Sequence, residues 1–563
     1  MKKKIANLLS NYIEGISVED IEQLMEIPPR AEMGDFAFPC FRLAKTMRKA
    51  PNIIAADICG NIDKPEYIEE IKTEGAYINF YLNKCGYVRE VLSAAADDKY
   101  GSSNDGDGKT ICIDYSSPNV AKNFHVGHLR TTVIGNSLYK IFSKLGYHVE
   151  RINHLGDWGT QFGKLIVAYK RWGSEEQVKT DGIQELMRLY VLFHSKADED
   201  PELEDEARLW FHKMELGDEE ALRIWKWFYD ISLEEFKRTY KLLGMDFDHY
   251  TGESFYRNMT GDVVAKLTDA GLLSESEGAK VVDLSEYDMP PCLILKKDGS
   301  SIYATRDIAA ILYRKENYNF EKCLYVTGHE QKLHFSQVFK VMELLGYEWA
   351  KDGLVHIPYG LVNLGGEKLS SREGNVIFAE DILLEAISKI KSIIEEKNPD
   401  ADNKDDIART VGVGAIIFNN LYNQRIKDMS FRWENVLNFD GETGPYVQYT
   451  YARCSSILRK IPSYTFTDTI DYNLITDESS FNLVKMISEF PSIVKKAGTD
   501  YEPSYIARYA VDLAQAFNKF YTENRINVED TKVRDARCML VYITRRIIKD
   551  SLDLLGIDCV EEM

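Results

Sequence analysis

Two histidines in the segment 114–136 are the residues with the clearest capacity for chemistry. His125 and His128 lie three positions apart, with Gly127 between them and Lys122 just before them. This spacing puts both imidazoles on one face of a helix start, where unpaired backbone N–H groups attract phosphate. The imidazoles can donate hydrogen bonds to phosphate oxygens, the lysine adds a point charge, and the glycine lets a flat purine approach the backbone. The pattern indicates a site for a nucleoside triphosphate.

The same histidine spacing is also found in surface pairs and in half of a metal site. No third ligand of the right kind follows nearby in the sequence, so we expect no metal at this position. The nine cysteines are scattered without a CxxC pair, which indicates reduced thiols and no structural zinc. The sequence has no Walker loop and no GxGxxG, so neither P-loop nor dinucleotide chemistry is expected.

A second motif, GGEKLSSREGN at residues 365–375, follows the strand-like sequence HIPYGLVNL. A glycine-bounded basic loop at the far end of the same sheet domain could close over phosphates during a transfer reaction. Alone, such a loop is most often a simple turn. Because it follows the histidine pair in this order, it strengthens the prediction of phosphate chemistry.

The elements that position these residues alternate between apolar strands and helices. Strands are predicted at 77–82, 110–113, 148–153 and 322–326, and the second of them leads through a Ser-Ser-Pro-Asn turn into the histidine helix. Strands that alternate with helices predict an α/β fold with a doubly wound parallel sheet of Rossmann-like kind.

Three domains are expected along the chain. Residues 1–107 are predicted to form an N-terminal α/β module that closes on the polar linker DDKYGSSNDGDGK. Residues 108–385 form the sheet domain, interrupted by acidic, helix-rich and hairpin-like insertions at about 170–297. Residues 386–563 have helical periodicity and predict an all-α bundle with a basic face at 532–549. An ordinary solvated helix surface is the alternative for that face.

The overall charge limits the partners that the protein can bind. A net charge of −20 and a pI near 5.1 argue against indiscriminate binding to a polyanion, although local basic surfaces can still hold a nucleic acid. The sequence has no apolar run long enough to span a bilayer and no signal-peptide pattern. We therefore expect a cytoplasmic protein without a membrane segment.

The two motifs and several longer words resemble one known family. HVGH at 125–128 and KLSSR at 368–372 resemble the HIGH and KMSKS signatures of class I aminoacyl-tRNA synthetases. SSPNVAKNFHVGHLRTTVIGNSL, NHLGDWGTQFG, YATRDIAA and NFDGETGPYVQYTYAR are similar to arginyl-tRNA synthetases, and the resemblance covers nearly the whole chain. It implies a monomeric ligase that activates L-arginine with ATP and Mg²⁺ to arginyl-adenylate. The arginyl group would then pass to the 3′-terminal adenosine of tRNA(Arg).

The resemblance also implies roles in ATP chemistry. The residues implied in catalysis are Lys122, His125, His128, Lys368 and Arg372. Those implied in ATP binding are His125, Gly127, His128, Gly360, Lys368, Ser370 and Ser371. Ser371 stands where the KMSKS signature has a lysine that usually contacts the phosphates. Lys122 is expected to supply this missing charge, together with the basic residues of the KLSSR motif.

For the amino acid, the resemblance points to a polar set in and around the sheet domain. These residues are Asp114, Asn119, His154, Tyr303, Asp307 and Gln331. A guanidinium has five donors in a planar fork, so the carboxylates of Asp114 and Asp307 are its natural partners, with Tyr303 orienting the side chain. Without the resemblance, Tyr303 and Asp307 would equally suit the first turn of an ordinary helix.

The resemblance places tRNA contacts in the two outer domains. Tyr446, Gln448, Tyr449 and Arg453 are candidates for the anticodon, because exposed aromatic rings can stack on splayed bases. Tyr446 and Tyr449 are three apart on an apolar helix, which is also typical of a helix core. Asn79 and Phe80 are candidates for the corner of the tRNA. Two alternatives remain for the function: another class I synthetase, or a non-catalytic tRNA-binding paralogue.

Overall fold

A computed structural model describes residues 1–364, 367–368, 378–397, 403–461, 464–467 and 470–563. Its strands are β1 (Phe36–Pro39), β2 (Ile68–Glu74), β3 (Tyr77–Leu82), β4 (Thr110–Asp114), β5 (His148–Asn153), β6 (His249–Tyr250), β7 (Leu273–Ser276), β8 (Ala279–Val282), β9 (Cys292–Leu295), β10 (Lys322–Gly328), β11 (Leu354–Tyr359), β12 (Val362–Leu364), β13 (Glu367–Lys368) and β14 (Met429–Phe431).

The helices of the first half are α1 (Lys2–Ser10), α2 (Val18–Leu24), α3 (Leu43–Met47), α4 (Pro51–Asn61), α5 (Lys84–Ala95), α6 (Val126–Lys144), α7 (Thr160–Trp172), α8 (Glu175–Asp181), α9 (Ile183–Ala197), α10 (Glu202–Glu215), α11 (Glu219–Leu243), α12 (Glu253–Tyr256) and α13 (Thr260–Asp269). Those of the second half are α14 (Tyr303–Tyr318), α15 (Lys332–Leu344), α16 (Ala350–Gly353), α17 (Ala379–Lys397), α18 (Lys404–Tyr422), α19 (Trp433–Val436), α20 (Gly444–Arg459), α21 (Glu478–Thr499), α22 (Ser504–Glu523) and α23 (Thr531–Leu554).

The largest sheet has five parallel strands in the order β11-β10-β4-β5-β6. The interior strands β4 and β10 are mostly apolar and buried, as is typical of parallel sheets. This sheet confirms the predicted α/β fold class. From β4 the chain continues to one side through β5 and β6, and it returns to the other side with β10 and β11. The carboxyl ends of β4 and β10 therefore form a topological switch point, the usual ligand site of such sheets.

Helix α6 follows β4 and packs closely against the loop that precedes it. Gly135, in the middle of α6, has no room for a side chain, because a Cβ there would lie 2.1 Å from the ring of Tyr115. The Tyr115 ring is fully buried against the helix. This close packing fixes the start of α6 beside the carboxyl end of β4.

The chain divides into two units, each with its own sheet or sheets. One unit contains residues 1–100, 457–488 and 516–544, and the other contains residues 101–456, 489–515 and 545–563. The second unit holds the parallel sheet. It also holds an antiparallel sheet of β7, β8 and β9 and a small sheet in the order β13-β12-β14.

The first unit contains the antiparallel sheet β1-β3-β2. The sequence predicted β3, whose residues alternate between polar and apolar, but it predicted neither β1 nor β2. β2 is a charged edge strand in which Ile68 is the buried residue, so its sequence lacks the alternation typical of a half-buried strand. Its pairing with β3 makes it a strand.

No helix in the described part of the chain is long and apolar enough to cross a bilayer.

Candidate active site

A cavity of about 610 Å³ lies at the switch point of the parallel sheet. The carboxyl ends of β4 and β10, the start of α6 and the first turns of α14 all contribute to its walls. The predicted residues that line it are Asp114, Asn119, His125, Gly127, His128, His154, Tyr303, Asp307 and Gln331. The fold thus brings together residues for which the sequence predicted two different ligands.

The two histidines form a stacked pair at the head of α6. His125 is the N-cap, and its Nδ1 accepts a hydrogen bond from the Gly127 N–H at 3.0 Å. The Nδ1 of His128 accepts one from the His125 N–H at 3.3 Å, and the ring centroids are 3.8 Å apart. Because both Nδ1 atoms accept, each neutral ring carries its proton on Nε2. The pair therefore offers two Nε2–H donors.

The same environment keeps both rings uncharged at neutral pH. Burial, reinforced by the charge of Lys122, lowers the pKa of His125 to about 4. Burial and the neighbouring His125 lower the pKa of His128 well below its ordinary value. Between about pH 4 and pH 6.5 the unfolded chain binds more protons at these positions, so stability rises with pH across that window. The rings act as dipolar donors and not as cations.

Lys122 lies near the histidines without being one of the residues that line the cavity. Its Nζ is 5.4 Å from the centroid of the Tyr190 ring, a cation–π contact. Its charge is nevertheless close enough to lower the pKa of both His125 and His128. This position is compatible with its predicted role as a source of positive charge near the phosphates.

The predicted loop residues lie mostly outside the described part of the chain. Ser370, Ser371 and Arg372 fall in the range 369–377, which the structure does not describe, and Lys368 is described only by its backbone in β13. Gly360 precedes β12, and its N–H donates to the Arg425 carbonyl at 2.9 Å.

Asp307 is a cavity carboxylate held by two histidines. Its Oδ2 lies 2.6 Å from Nε2 of His334, and its Oδ1 lies 3.9 Å from Nε2 of His154. Burial by itself would raise the pKa of Asp307, but the hydrogen bond from His334 and the positive neighbours hold that pKa below its ordinary value. Asp307 is therefore ionised and faces the cavity at neutral pH.

Asp114 is instead neutralised within the protein. Its Oδ2 lies 2.8 Å from Nη2 of Arg314, a fully buried guanidinium, and its Oδ1 accepts from the Ser117 hydroxyl at 2.8 Å. The same Arg314 guanidinium lies 3.3 Å from Nδ1 of His154. Arg314 therefore holds both Asp114 and His154 in place. Because Asp114 is already paired with Arg314, Asp307 is the more available of the two predicted carboxylates for a substrate guanidinium.

Glu253, which the sequence analysis did not select, is a further carboxylate of this cavity. It begins α12, is nine-tenths buried and lies 3.0 Å from Nε of Arg306. Burial raises its pKa to about 8 despite this neighbour. Glu253 lies inside the predicted insertion and in no motif, so the sequence offered no signal for it.

The remaining cavity residues differ in exposure. Tyr303 begins α14 and is 61% exposed, with the guanidinium carbon of Arg306 5.3 Å from its ring centroid. Asn119 forms a backbone bridge with Gly156, and Gln331 is exposed in the turn after β10. These three side chains can offer hydrogen bonds to a ligand from the open side of the cavity.

The predicted tRNA contacts fall into two groups. Asn79, Phe80 and Gln448 are buried, and the Gln448 amide donates to the carbonyls of Thr410 and Asp558. Because these three side chains are enclosed, we do not propose them as tRNA contacts. The others reach the surface: Tyr446 and Arg453 are half-buried, Tyr449 is exposed, and the guanidinium carbon of Arg453 lies 4.8 Å from the Tyr449 ring centroid.

Comparisons with known proteins match successive parts of the chain to the domains of one kind of enzyme. The family model described as tRNA synthetases class I (R), catalytic domain, matches residues 88–433. The models described as Arginyl tRNA synthetase N terminal domain and DALR anticodon binding domain match residues 1–82 and 447–563.

Individual relatives match over almost their full length. The arginine–tRNA ligases of Halothermothrix orenii and Alkaliphilus metalliredigens are 52% and 53% identical to this chain, over 100% of it and 99% of each relative. The solved structure of Thermus thermophilus arginyl-tRNA synthetase matches with a TM-score of 0.83 at 26% identity, over 100% of this chain and 99% of that one.

The parallel sheet, with paired histidines at the head of the helix after β4, is the catalytic domain of a class I aminoacyl-tRNA synthetase. Within that class the matches at both ends of the chain are specific. The chain belongs to the arginyl-tRNA synthetase family. The predicted family is thereby confirmed.

Proposed function

We propose that the cavity activates L-arginine with ATP and then transfers the arginyl group to the 3′-terminal adenosine of tRNA(Arg). The observation that carries this proposal is the presence, in one cavity, of two neutral imidazole donors and the ionised carboxylate of Asp307. The histidines suit the phosphates of ATP, and the carboxylate suits a guanidinium.

The activation step requires little covalent work from the protein. The carboxylate of arginine attacks the α-phosphate of ATP, a new carbon–oxygen–phosphorus link forms, and pyrophosphate leaves. His125 and His128 donate hydrogen bonds from Nε2 to phosphate oxygens, while Lys122 contributes positive charge beside them. Catalysis arises from positioning and from stabilisation of the charge that moves to the leaving group.

The guanidinium of the substrate binds between the ionised carboxylate of Asp307 and the carboxyl group of Glu253, which is uncharged at neutral pH. Asp307 supplies a full negative charge, and Glu253 supplies a second acceptor in the same cavity. Tyr303, Asn119 and Gln331 complete the polar surround. A site built for five N–H donors leaves buried acceptors unpaired when a substrate lacks those donors, and such sites reject analogues by roughly 10⁴-fold or more.

Mg²⁺ is proposed only as the companion of ATP. Among the residues that the structure describes, no group of three or more His, Cys, Asp or Glu side chains could hold a metal ion.

We further propose how the tRNA is held. Residues 386–563 bind the anticodon, with Tyr446, Tyr449 and Arg453 as candidates, and residues 1–107 contact the corner of the tRNA. Residues 108–385 carry out catalysis, and the insertions at about 170–297 position the acceptor end. The protein acts as a monomer in the cytoplasm.

Aminoacylation tests the proposed function directly. Incubation with radiolabelled arginine, ATP and total tRNA should give arginine esterified to tRNA, with AMP and pyrophosphate released. Product with another amino acid alone would indicate a different class I synthetase. Binding of tRNA without any product would indicate the non-catalytic paralogue.

Replacing Gly127 by alanine should impair ATP use selectively. A Cβ at position 127 would lie 2.8 Å from Cε1 of His125, so the ring that donates to phosphate must move. Displacement of a catalytic group by about 1 Å can cost on the order of 10²-fold in rate. We expect kcat/KM for ATP to fall by about 10- to 100-fold, with the Kd for arginine unchanged.

Gly261→Ala is the matched control for this variant. Gly261 lies in helix α13 with open space around its Cα, so an added methyl group meets nothing. Its kinetics should equal those of the wild type. Unaltered ATP kinetics in Gly127→Ala would remove His125 from the ATP site.

A further inference from the structure

His334 contacts Asp307, the carboxylate to which the proposed function assigns the substrate guanidinium. It lies in the first turn of α15 and is partly exposed toward the cavity. Its Nε2 lies 2.6 Å from Oδ2 of Asp307, close to the shortest distance for a charge-assisted N–H···O bond. In the free protein, therefore, the imidazole of His334 is already the cationic partner of Asp307.

The surroundings of His334 favour its protonated form. Burial alone would lower the pKa of His334, but the hydrogen bond and charge of Asp307 raise that pKa above its ordinary value. The stability that this pair contributes is fully present below about pH 6.5 and is lost as the pH rises through the raised pKa. The imidazolium thus depends on the carboxylate of Asp307.

Other titratable groups lie near this pair. His154 lies 3.9 Å from the second oxygen of Asp307, and Glu253 lines the same cavity. Arg314 lowers the pKa of Asp307 from beneath. His356 of β11 is kept neutral by burial, which lowers its pKa to about 4. His334 is therefore the cation in closest contact with Asp307.

We propose that His334 is a positioning residue for arginine, whose imidazolium holds Asp307 in place and releases its proton to solvent when the substrate guanidinium takes over the carboxylate. This inference rests on the proposed function. A guanidinium keeps its charge at all accessible pH values, whereas an imidazole titrates near neutrality. When the two cations compete for the carboxylate of Asp307, the imidazolium loses its proton and the guanidinium keeps its charge.

Proton release makes arginine binding depend on pH in a defined direction. Below the pKa of His334 in the free protein, the affinity should rise by up to about tenfold per pH unit, and it should level off above that pKa. Arginine itself does not titrate appreciably between about pH 5 and pH 6.5, because its guanidinium, amino and carboxyl groups all ionise outside that range. The pH dependence of arginine binding therefore comes from groups of the protein.

Isothermal titration of arginine into the full-length protein tests this inference. At about pH 6.5, the apparent enthalpy of binding should differ between PIPES and ACES buffers, because these buffers absorb the released proton with different heats. The difference should correspond to between about one half and one proton released per arginine. His334→Gln and His334→Asn, whose amides can donate to Asp307 without titrating, should lose most of the release and flatten the pH dependence of Kd.

His329→Gln is the matched control, because His329 is an exposed imidazole one turn before His334 and lies 4.0 Å from Glu330. It should behave as the wild type. Arginine binding without proton release in the wild type would overturn this inference and leave the proposed function intact. Release that persists in both His334 variants would also overturn it and would identify Glu253 as the source. No arginine binding at all would overturn both the inference and the proposed function.

Discussion

Asp307→Asn should weaken arginine binding by about two to three orders of magnitude. Asp307 is a half-buried, ionised carboxylate whose charge faces the cavity. Removing one partner of a buried, hydrogen-bonded charge pair costs about 2–5 kcal/mol, which corresponds to roughly 30- to several-thousand-fold in affinity. The asparagine amide keeps the shape of the side chain, so the loss of arginine affinity is due to the loss of charge. The Kd for arginine, measured by titration calorimetry, is the test.

Two comparisons make this result specific. The Kd for ATP should change little in the same variant, because the histidine pair is held by the backbone at the start of α6. Asp269→Asn, at an exposed position at the end of α13, should leave both affinities unchanged. An arginine affinity within threefold of the wild type would mean that Glu253, and not Asp307, recognises the guanidinium.

Arg314→Met should be among the most destabilising single substitutions in this protein. The Arg314 side chain is fully buried and pairs with Asp114 at 2.8 Å, with the rings of Tyr256 and Tyr325 at 6.0 and 5.5 Å from its guanidinium carbon. Removing one partner of a buried ion pair leaves an uncompensated charge and costs about 3–5 kcal/mol. We expect a loss of this size in the free energy of unfolding, measured by urea denaturation.

The double variant Asp114→Asn with Arg314→Met separates charge from packing. Because it removes both charges, it should recover more than half of the stability that the single variant loses. Arg208→Met is the matched control: Arg208 forms an exposed pair with Asp205, and its loss should cost less than about 1 kcal/mol. A double variant as unstable as the single one would show that packing, and not the pair, accounts for the loss.

These two predictions concern carboxylates that the sequence could not rank. Asp114 and Asp307 both carried over from the resemblance as partners of a guanidinium. The fold separates them, since Arg314 neutralises Asp114 from within, whereas Asp307 is balanced by His334, a group that can lose its charge. Which carboxylate meets the substrate is therefore decided by neighbours from distant parts of the chain.

The local elements, in contrast, were predictable. The strands β4 and β10 are rich in apolar and β-branched residues that favour extended structure, β5 has Val149 and Ile152 among polar residues, and the helix after His125 has helical periodicity. Alternation of such elements is enough to predict a parallel sheet and to place a ligand at its carboxyl edge. β2 was missed because a charged edge strand exists only through its pairing with β3.

The sequence by itself determined the motifs, the strands and the helix next to the histidine pair, and the family, because these depend on residue types and on short-range periodicity. Only the tertiary structure placed Glu253 in the cavity, enclosed Gln448, and kept His125 and His128 neutral. Burial and charge pairing depend on which distant elements pack together. The protonation state of a side chain therefore depends on the residues that the fold packs around it. The chemistry that the side chain can perform depends on that protonation state.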